Sequence, residues 1–229
     1  MKANQYKKIL SIINKDNYSK FDLITNYGLF SGTTNLYKTL KLVELINSIK
    51  DVKGDIIEFG THKGNTGFLI AKILKLKNIK KNVYIFDSFK GLQDFDLKDD
   101  LKKNIYQNKY KGNLNRIIKL KKFFQLSNLK IINEDALKIS DNFFNKKIYS
   151  LIYFDMDLYI PTINILNNLN IKKNLSKFSK IVFDQGNSKL WKGEKKAMNE
   201  FYKKNIKFFS KKIISKTSYH PDVVLIKNK

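Results

Sequence analysis

Two apolar runs in this 229-residue chain break into oxygen-rich side chains. Ser150-Leu-Ile-Tyr-Phe leads into Asp155-Met-Asp157-Leu-Tyr159, and Lys180-Ile-Val-Phe leads into Asp184-Gln185-Gly186-Asn187. Several consecutive apolar residues suit a strand buried on both faces of a parallel sheet, because a half-exposed strand alternates. In open α/β sheets ligands bind beyond the carboxyl ends of the strands, so neighbouring strands would bring Asp155, Asp157 and Asp184 to one rim. Three carboxylates and the amide oxygen of Gln185 suit a hard cation, Mg²⁺ or Ca²⁺, better than zinc. Taken singly, each aspartate could equally cap the following helix; the two ends together favour a site.

A second group of residues suits a nucleoside cofactor. Glu58-Phe-Gly60-Thr61-His62-Lys63-Gly64-Asn65-Thr66 joins a strand to a helix. Gly60 and Gly64 let the backbone turn tightly against a ligand, while Thr66 and the free amides of the helix start can hold a carboxylate. The spacing is not the dinucleotide G-x-G-x-x-G pattern. Asp87, ending the next apolar run, is placed to meet ribose hydroxyls. Asn133-Glu134-Asp135, after a third run, could read an adenine edge. Thr61, Asn65, Ser88 and Ala136 flank these positions and complete the cofactor candidates.

The elements that must position these residues follow from the pattern. Residues 1–50 read as helical, with Leu40, Leu42, Val43, Leu45, Ile46 and Ile49 as an apolar face. Strands are expected at 55–60, 83–87, 129–133, 148–154 and 180–184, with helices at 64–76 and from Pro161 to Leu169, where proline is tolerated at a helix start. The last stretch, 206–214 and 223–226, reads as two strands in hairpin order. This predicts an α/β fold with a seven-stranded, mostly parallel sheet, a C-terminal antiparallel hairpin and an N-terminal helical extension. Residues 96–126 show a weaker pattern and read as helix plus a mobile insertion near the site.

Composition bounds the rest. The length suits one domain, 1–229, with a full core. Cysteine is absent, which excludes disulfides, thiolate nucleophiles and Cys-ligated metals. No apolar run is long enough to span a membrane and the N-terminus has no signal-like segment, so a cytoplasmic protein is expected. The net charge of +25 would ordinarily suggest a polyanion partner, but the lysines are spread as doublets along the chain and Arg116 is the single arginine. Phosphate and base readers lean on bidentate guanidinium groups, so nucleic acid is not the expected partner. A homo-oligomer is compatible with the sequence.

The order of motifs resembles the macrocin/mycinamicin-type (TylF-like) sugar O-methyltransferases over about residues 30 to 205. The resemblance lies in Gly54-Asp-Ile-Ile-Glu58-Phe-Gly60-x-x-x-Gly64, Phe86-Asp87-Ser88-Phe89-x-Gly91-Leu92, Asp155-x-Asp157-Leu158-Tyr159-x-x-Thr162, Asp184-Gln185, and Trp191-x-Gly193-Glu194-x-x-Ala197-x-x-x-Phe201. It implies a class I, Rossmann-like methyltransferase using S-adenosylmethionine and Mg²⁺, with a sugar or glycan-precursor acceptor. It further implies Asp155, Asp184 and the next position, here Gln185, as metal ligands and Asp157 as general base, with Asp155 shared between metal and cofactor. Gln185 departs from the pattern, since macrolide-sugar members typically carry a second aspartate there.

Tyr159 and Trp191 are candidates for stacking on a sugar face, although core packing suits Tyr159 equally. Glu194 could contact the acceptor or serve as a carboxylate at a helix start. His62 is a rival base; His220, before Pro221, suits the hairpin turn. The 1–50 segment around Thr33, Thr34 and Tyr37, and the 96–126 insertion, are candidate lids over the site. Alternatives are a methyltransferase of the same fold acting on nucleic acid, which would draw on the charge, and a non-catalytic nucleotide-binding protein.

Overall fold

The computed structural model describes residues 25–215 and 219–228, with residues 11 and 19. Most of the expected helical segment before residue 25 therefore lies outside the described residues. Within them, α1 (Thr33–Ile49) precedes the first strand and buries Leu42, Leu45, Ile46 and Ile49. The strands are β1 (Asp55–Phe59), β2 (Val83–Asp87), β3 (Leu129–Asn133), β4 (Tyr149–Phe154), β5 (Leu175–Phe183), β6 (Phe209–Ile213) and β7 (Val223–Lys227). The connecting helices are α2 (Asn65–Leu76), α3 (Leu114–Phe123), α4 (Tyr159–Asn168) and α5 (Lys192–Lys204).

They form one seven-stranded sheet in the order β3-β2-β1-β4-β5-β7-β6. Pairing is parallel from β3 to β5 and antiparallel at β5–β7 and β7–β6, as the hairpin reading requires. Every residue of β4 is buried, which is why its sequence shows no alternation. Side chains still alternate between the two faces. Ile57, Phe59, Ile152, Phe154 and Phe183 pack with α4 and α5, whereas Ile56, Leu151, Tyr153 and Val182 pack with α1 and α2. No helix of the described residues is long and apolar enough to cross a membrane.

Register fixes where the strands end. Phe86 pairs with Phe59, Phe59 with Phe154 and Phe154 with Phe183. The rings of Phe154 and Phe183 stack at 5.1 Å, and those of Phe59 and Phe154 at 5.4 Å. The next residue on each strand is therefore level with its neighbour, so Asp87, Gly60, Asp155 and Asp184 share one rung above the aromatic ladder. Main-chain bonds carry the ladder through that rung: Gly60 N–H to Phe86 O at 3.0 Å, Asp155 N–H to Phe59 O at 2.9 Å, and Asp184 N–H to Phe154 O at 2.8 Å.

Two boundaries differ from expectation. β5 begins at Leu175, five residues before the apolar run, with a register irregularity opposite Tyr149 and Leu151 and Phe178 at φ 68°. Its first half is polar and half-exposed, so it lacks the run by which buried strands are recognised. Helix α4 starts at Tyr159 and not Pro161.

Candidate active site

Above the rung lies a cavity of about 390 Å³. One side of it is lined by Glu58, Gly60, Thr61, Asn65, Thr66, Asp87 and Ser88, and by Asp135 and Ala136 from the end of β3. Asp155, Asp157, Gln185 and Trp191 line the other side. The two groups of residues picked out separately in the sequence thus face one space. Gly64, Asp184, Tyr159 and Glu194 do not line it.

Two left-handed glycines shape the glycine loop. Gly60 has φ 87°, and a Cβ there would lie 2.1 Å from the carbonyl oxygen of Asp155. This contact locks the glycine loop against the acidic strand end. Gly64, at φ 88°, is the N-cap of α2 and supports the loop from outside the cavity. Asp87 holds the loop in place: Oδ2 accepts the amide of His62 at 2.7 Å and Oδ1 that of Phe89 at 2.5 Å. Burial raises its carboxyl above the usual range, against those two amides. Asp135 caps the following 3₁₀ turn, with Oδ1 accepting the amide of Leu137 at 2.9 Å. Glu58 sits beneath the loop, fully buried, with Oε2 accepting the Thr61 hydroxyl at 2.6 Å. Burial pushes its carboxyl up to about 8.

The acidic side is built on a buried carboxylate. Glu194, in the first turn of α5, accepts the amide of Gln185 at 2.8 Å through Oε1, and those of Met156 and Asp157 at 2.9 and 3.2 Å through Oε2. It is fully buried, so its place is between the two strand-end loops and not against an acceptor. Asp157 adopts φ 62°, which that loop holds in place. Burial, then the neighbouring Asp155 and Asp184, raise the Asp157 carboxyl well above its ordinary range, and burial together with Asp184 likewise raises Asp155. Asp184 is buried and accepts the hydroxyl of Tyr153.

One residue in this cluster has no counterpart in the sequence reading. Lys38, from α1, places Nζ 3.3 Å from Asp155 Oδ2 and 3.0 Å from Asp184 Oδ1. Burial would lower its pKa, but the two carboxylates outweigh that and hold it above the usual lysine range. Its signal was its spacing: Lys38, Leu42, Leu45 and Ile49 form a helical stripe, and a lysine on the buried stripe of a helix needs a partner.

Among the described residues no group of three or more His, Asp or Glu side chains is placed to hold a metal. The donor set nevertheless fits a hard cation. Gln185 is 7% exposed, lines the cavity, and its Oε1 is a buried acceptor without a partner. An orphaned carbonyl oxygen on the residue after Asp184, in the cavity that Asp155 also lines, is what an oxygen-seeking ion would satisfy.

The acceptor-side candidates separate. Trp191 lines the cavity, and the edges of Tyr106 and Tyr110 meet its ring at 5.3 and 6.0 Å. Tyr159 instead donates its hydroxyl to Glu200 at 2.8 Å and accepts from Lys98 at 2.6 Å, packing against the core. His62 lines the cavity with its ring against Tyr110 at 5.6 Å, and burial and Lys63 lower its pKa. His220 lies in the β6–β7 connection before Pro221, with Nδ1 2.7 Å from the carbonyl oxygen of Asp184. The 96–126 segment is anchored at its start: Asp99 is fully buried and accepts the amides of Asp96 and Tyr159 at 2.7 Å each.

Comparison with known proteins agrees with this geometry. Residues 26–215 match the model of the macrocin O-methyltransferase (TylF) family. The chain belongs to that family. It is accordingly an S-adenosylmethionine-dependent O-methyltransferase of class I fold. Comparison with curated proteins returns no match. Among solved structures, the calicheamicin methyltransferase CalS11 superposes with a TM-score of 0.79 at 20% identity, covering 98% of this chain and 91% of that one. The O-methyltransferase NovP superposes at 0.69 and 18% identity, covering 86% and 81%. An SAH-bound methyltransferase of Podospora anserina, PaMTH1, does so at 0.52 and 15% identity, covering 83% and 78%. These likenesses establish the fold.

Proposed function

We propose that this O-methyltransferase moves the methyl group of S-adenosylmethionine to a hydroxyl of a sugar or a related diol-bearing small molecule, with a divalent cation such as Mg²⁺ held by Asp155, Asp184 and Gln185. The observation that carries the reading is the shared rung: Gly60 of the cofactor loop abuts the carbonyl of Asp155, the residue from which the acidic cluster begins. Reacting groups bound on either side of that contact are held as neighbours, which removes much of the entropic barrier to transfer.

Each residue then has a task. Asp87 meets the ribose hydroxyls, and Asn65, Thr66 and the start of α2 meet the amino-acid end of the cofactor. Asp157 takes the proton of the acceptor hydroxyl; burial and the neighbouring carboxylates raise its affinity for that proton. A bound divalent ion would supply positioning of two vicinal oxygens and a lower hydroxyl pKa. Trp191 and Tyr110 offer ring faces and edges to a sugar and exclude water where the sulfonium charge is lost. The relative CalS11 is described as a TDP-rhamnose 3'-O-methyltransferase, which favours a sugar acceptor and a biosynthetic setting such as surface-polysaccharide or secondary-metabolite assembly in the cytoplasm.

The test is direct. The purified protein should bind S-adenosylmethionine in calorimetry and methylate a nucleotide-sugar panel in a Mg²⁺-dependent manner. Asp155→Ala or Asp184→Ala should abolish transfer, and Asp157→Asn should abolish it while cofactor binding persists. No binding of the cofactor would overturn the assignment, and undiminished transfer by Asp157→Asn would remove the base.

A further inference from the structure

The proposed reaction leaves Lys38 unused, although its ammonium lies against both expected metal carboxylates. Its surroundings exclude an incidental surface pair. It reaches in from α1 over the ring of Tyr153, 5.5 Å from its centroid, and lines the cavity itself. Two other lysines drawn into the protein serve the backbone instead: Lys81 donates to Val52 O and Gly54 O, and Lys227 to Ile171 O and Leu175 O.

A divalent ion and this ammonium compete for one place. Mg²⁺ binds carboxylate oxygens at about 2 Å and demands a nearly octahedral arrangement. The ammonium sits between Asp155 Oδ2 and Asp184 Oδ1, and a second cation held by the same two carboxylates would meet severe repulsion from it. Gln185 Oε1, the third donor, remains unpartnered while Lys38 is in place, so the ammonium satisfies only part of the donor set.

We infer that Lys38 is an internal cation which closes the metal site, and that a divalent ion enters only as Lys38 withdraws with the N-terminal half of α1. This rests on the metal reading proposed above. The helix is built for such a movement. Leu42, Leu45, Ile46 and Ile49 pin its C-terminal half in the core, whereas Leu36 and Leu40 are exposed. The contacts of the N-terminal half include Lys38 itself, Tyr37 donating to Ile214 O at 2.9 Å, the Tyr37 ring against that of Tyr219 at 5.4 Å, and Thr33 with Tyr219 at 3.1 Å. Metal occupancy and the position of this segment are therefore two sides of one equilibrium. A competitor tethered in the same chain lowers the apparent metal affinity by the fraction of molecules in which it is withdrawn.

Mn²⁺ alone is a suitable probe, with free ion read by electron paramagnetic resonance on the full chain. Lys38→Met should bind Mn²⁺ roughly tenfold more tightly than the native protein, as expected if the open state is a minor one, and Lys38→Arg should not. Equal or weaker binding by Lys38→Met overturns the inference and leaves the metal site standing. Absence of Mn²⁺ binding in both proteins removes the site and the competitor together. Should Lys38→Met fail to fold, the native protein answers alone: acetylation read lysine by lysine should show Lys38 labelled faster with saturating Mn²⁺ while Lys227 is unchanged. Unchanged or slower labelling of Lys38 with Mn²⁺ bound overturns the inference.

Discussion

Oε1 of Glu194 accepts the main-chain amide of Gln185 at 2.8 Å, joining the first turn of α5 to the loop after β5. The other oxygen takes two amides from the loop after β4, so one carboxylate sets the spacing of both acidic strand ends. Glu194→Gln keeps the shape but turns an NH₂ toward an N–H. At least one buried amide is then left without an acceptor, at a cost of about 1–3 kcal/mol. Thermal melts should show a clear loss of stability. Turnover should fall further than cofactor affinity, because the amides at stake belong to Met156, Asp157 and Gln185. A variant that melts with the native protein would contradict this account.

Gly193, one residue earlier, lets α5 approach the start of α4. A Cβ there would lie 1.9 Å from Asp99 Oδ1 and 2.5 Å from the amide of Tyr159. Asp99 caps α4 from outside that helix, so Asp99→Ala should cost on the order of 1 kcal/mol. Gly193→Ala must displace the cap and backbone together, and should destabilise more than Asp99→Ala does. Urea unfolding of the two variants decides the order, and equal losses would show that the junction yields without strain.

The strands were readable because six of the seven carry dense apolar runs, and Asp87, Asp155 and Asp184 stand at the ends of three of them. Leu175–Ser179 escaped because an irregular, half-exposed segment with Phe178 at positive φ has neither a continuous run nor regular alternation. Glu194 does stand at a helix start, as one reading of the sequence has it, but its bonds to two other loops are not legible there. Its partners lie 9, 37 and 38 residues away, and a carboxylate at a helix start already has a local explanation. Lys38 was hidden by abundance. Where lysine is everywhere, composition says solvent, and only its place on the buried stripe of α1 says otherwise. Tyr159 shows the limit of motif reasoning, since its neighbours Lys98 and Glu200 claim the hydroxyl that a pocket residue would keep free.

Glu58 gives the molecule a pH signature. Its carboxyl is pushed up to about 8 by burial, whereas in the unfolded chain it titrates at about 4.3. Between those values the native state holds more protons than the unfolded state, so this group's contribution to stability falls as pH rises. Glu58→Gln removes the titration. The stability of the native protein relative to Glu58→Gln should therefore decline from pH 5 to pH 8, by at most about 1.4 kcal/mol per pH unit. Urea unfolding at pH 5, 6.5 and 8 measures it, and a difference that is flat or rises with pH would show that Glu58 stays ionised.

Gln185 is the position at which charge in the cluster can be changed without moving the loop. Its amide N–H is fixed by Glu194, and its side-chain oxygen is the unpartnered donor. Gln185→Asp adds a carboxylate beside Asp155, Asp157 and Asp184. Without metal, the added repulsion in a buried site should lower the melting temperature. With metal, the same charge strengthens coordination, because affinity for hard cations rises with the number of charged ligands. Mg²⁺ should therefore raise the melting temperature of Gln185→Asp by more than that of the native protein, with a lower titration midpoint. Equal midpoints would show that the residue at this position does not ligate the ion, leaving Asp155 and Asp184 as the protein's share of the coordination.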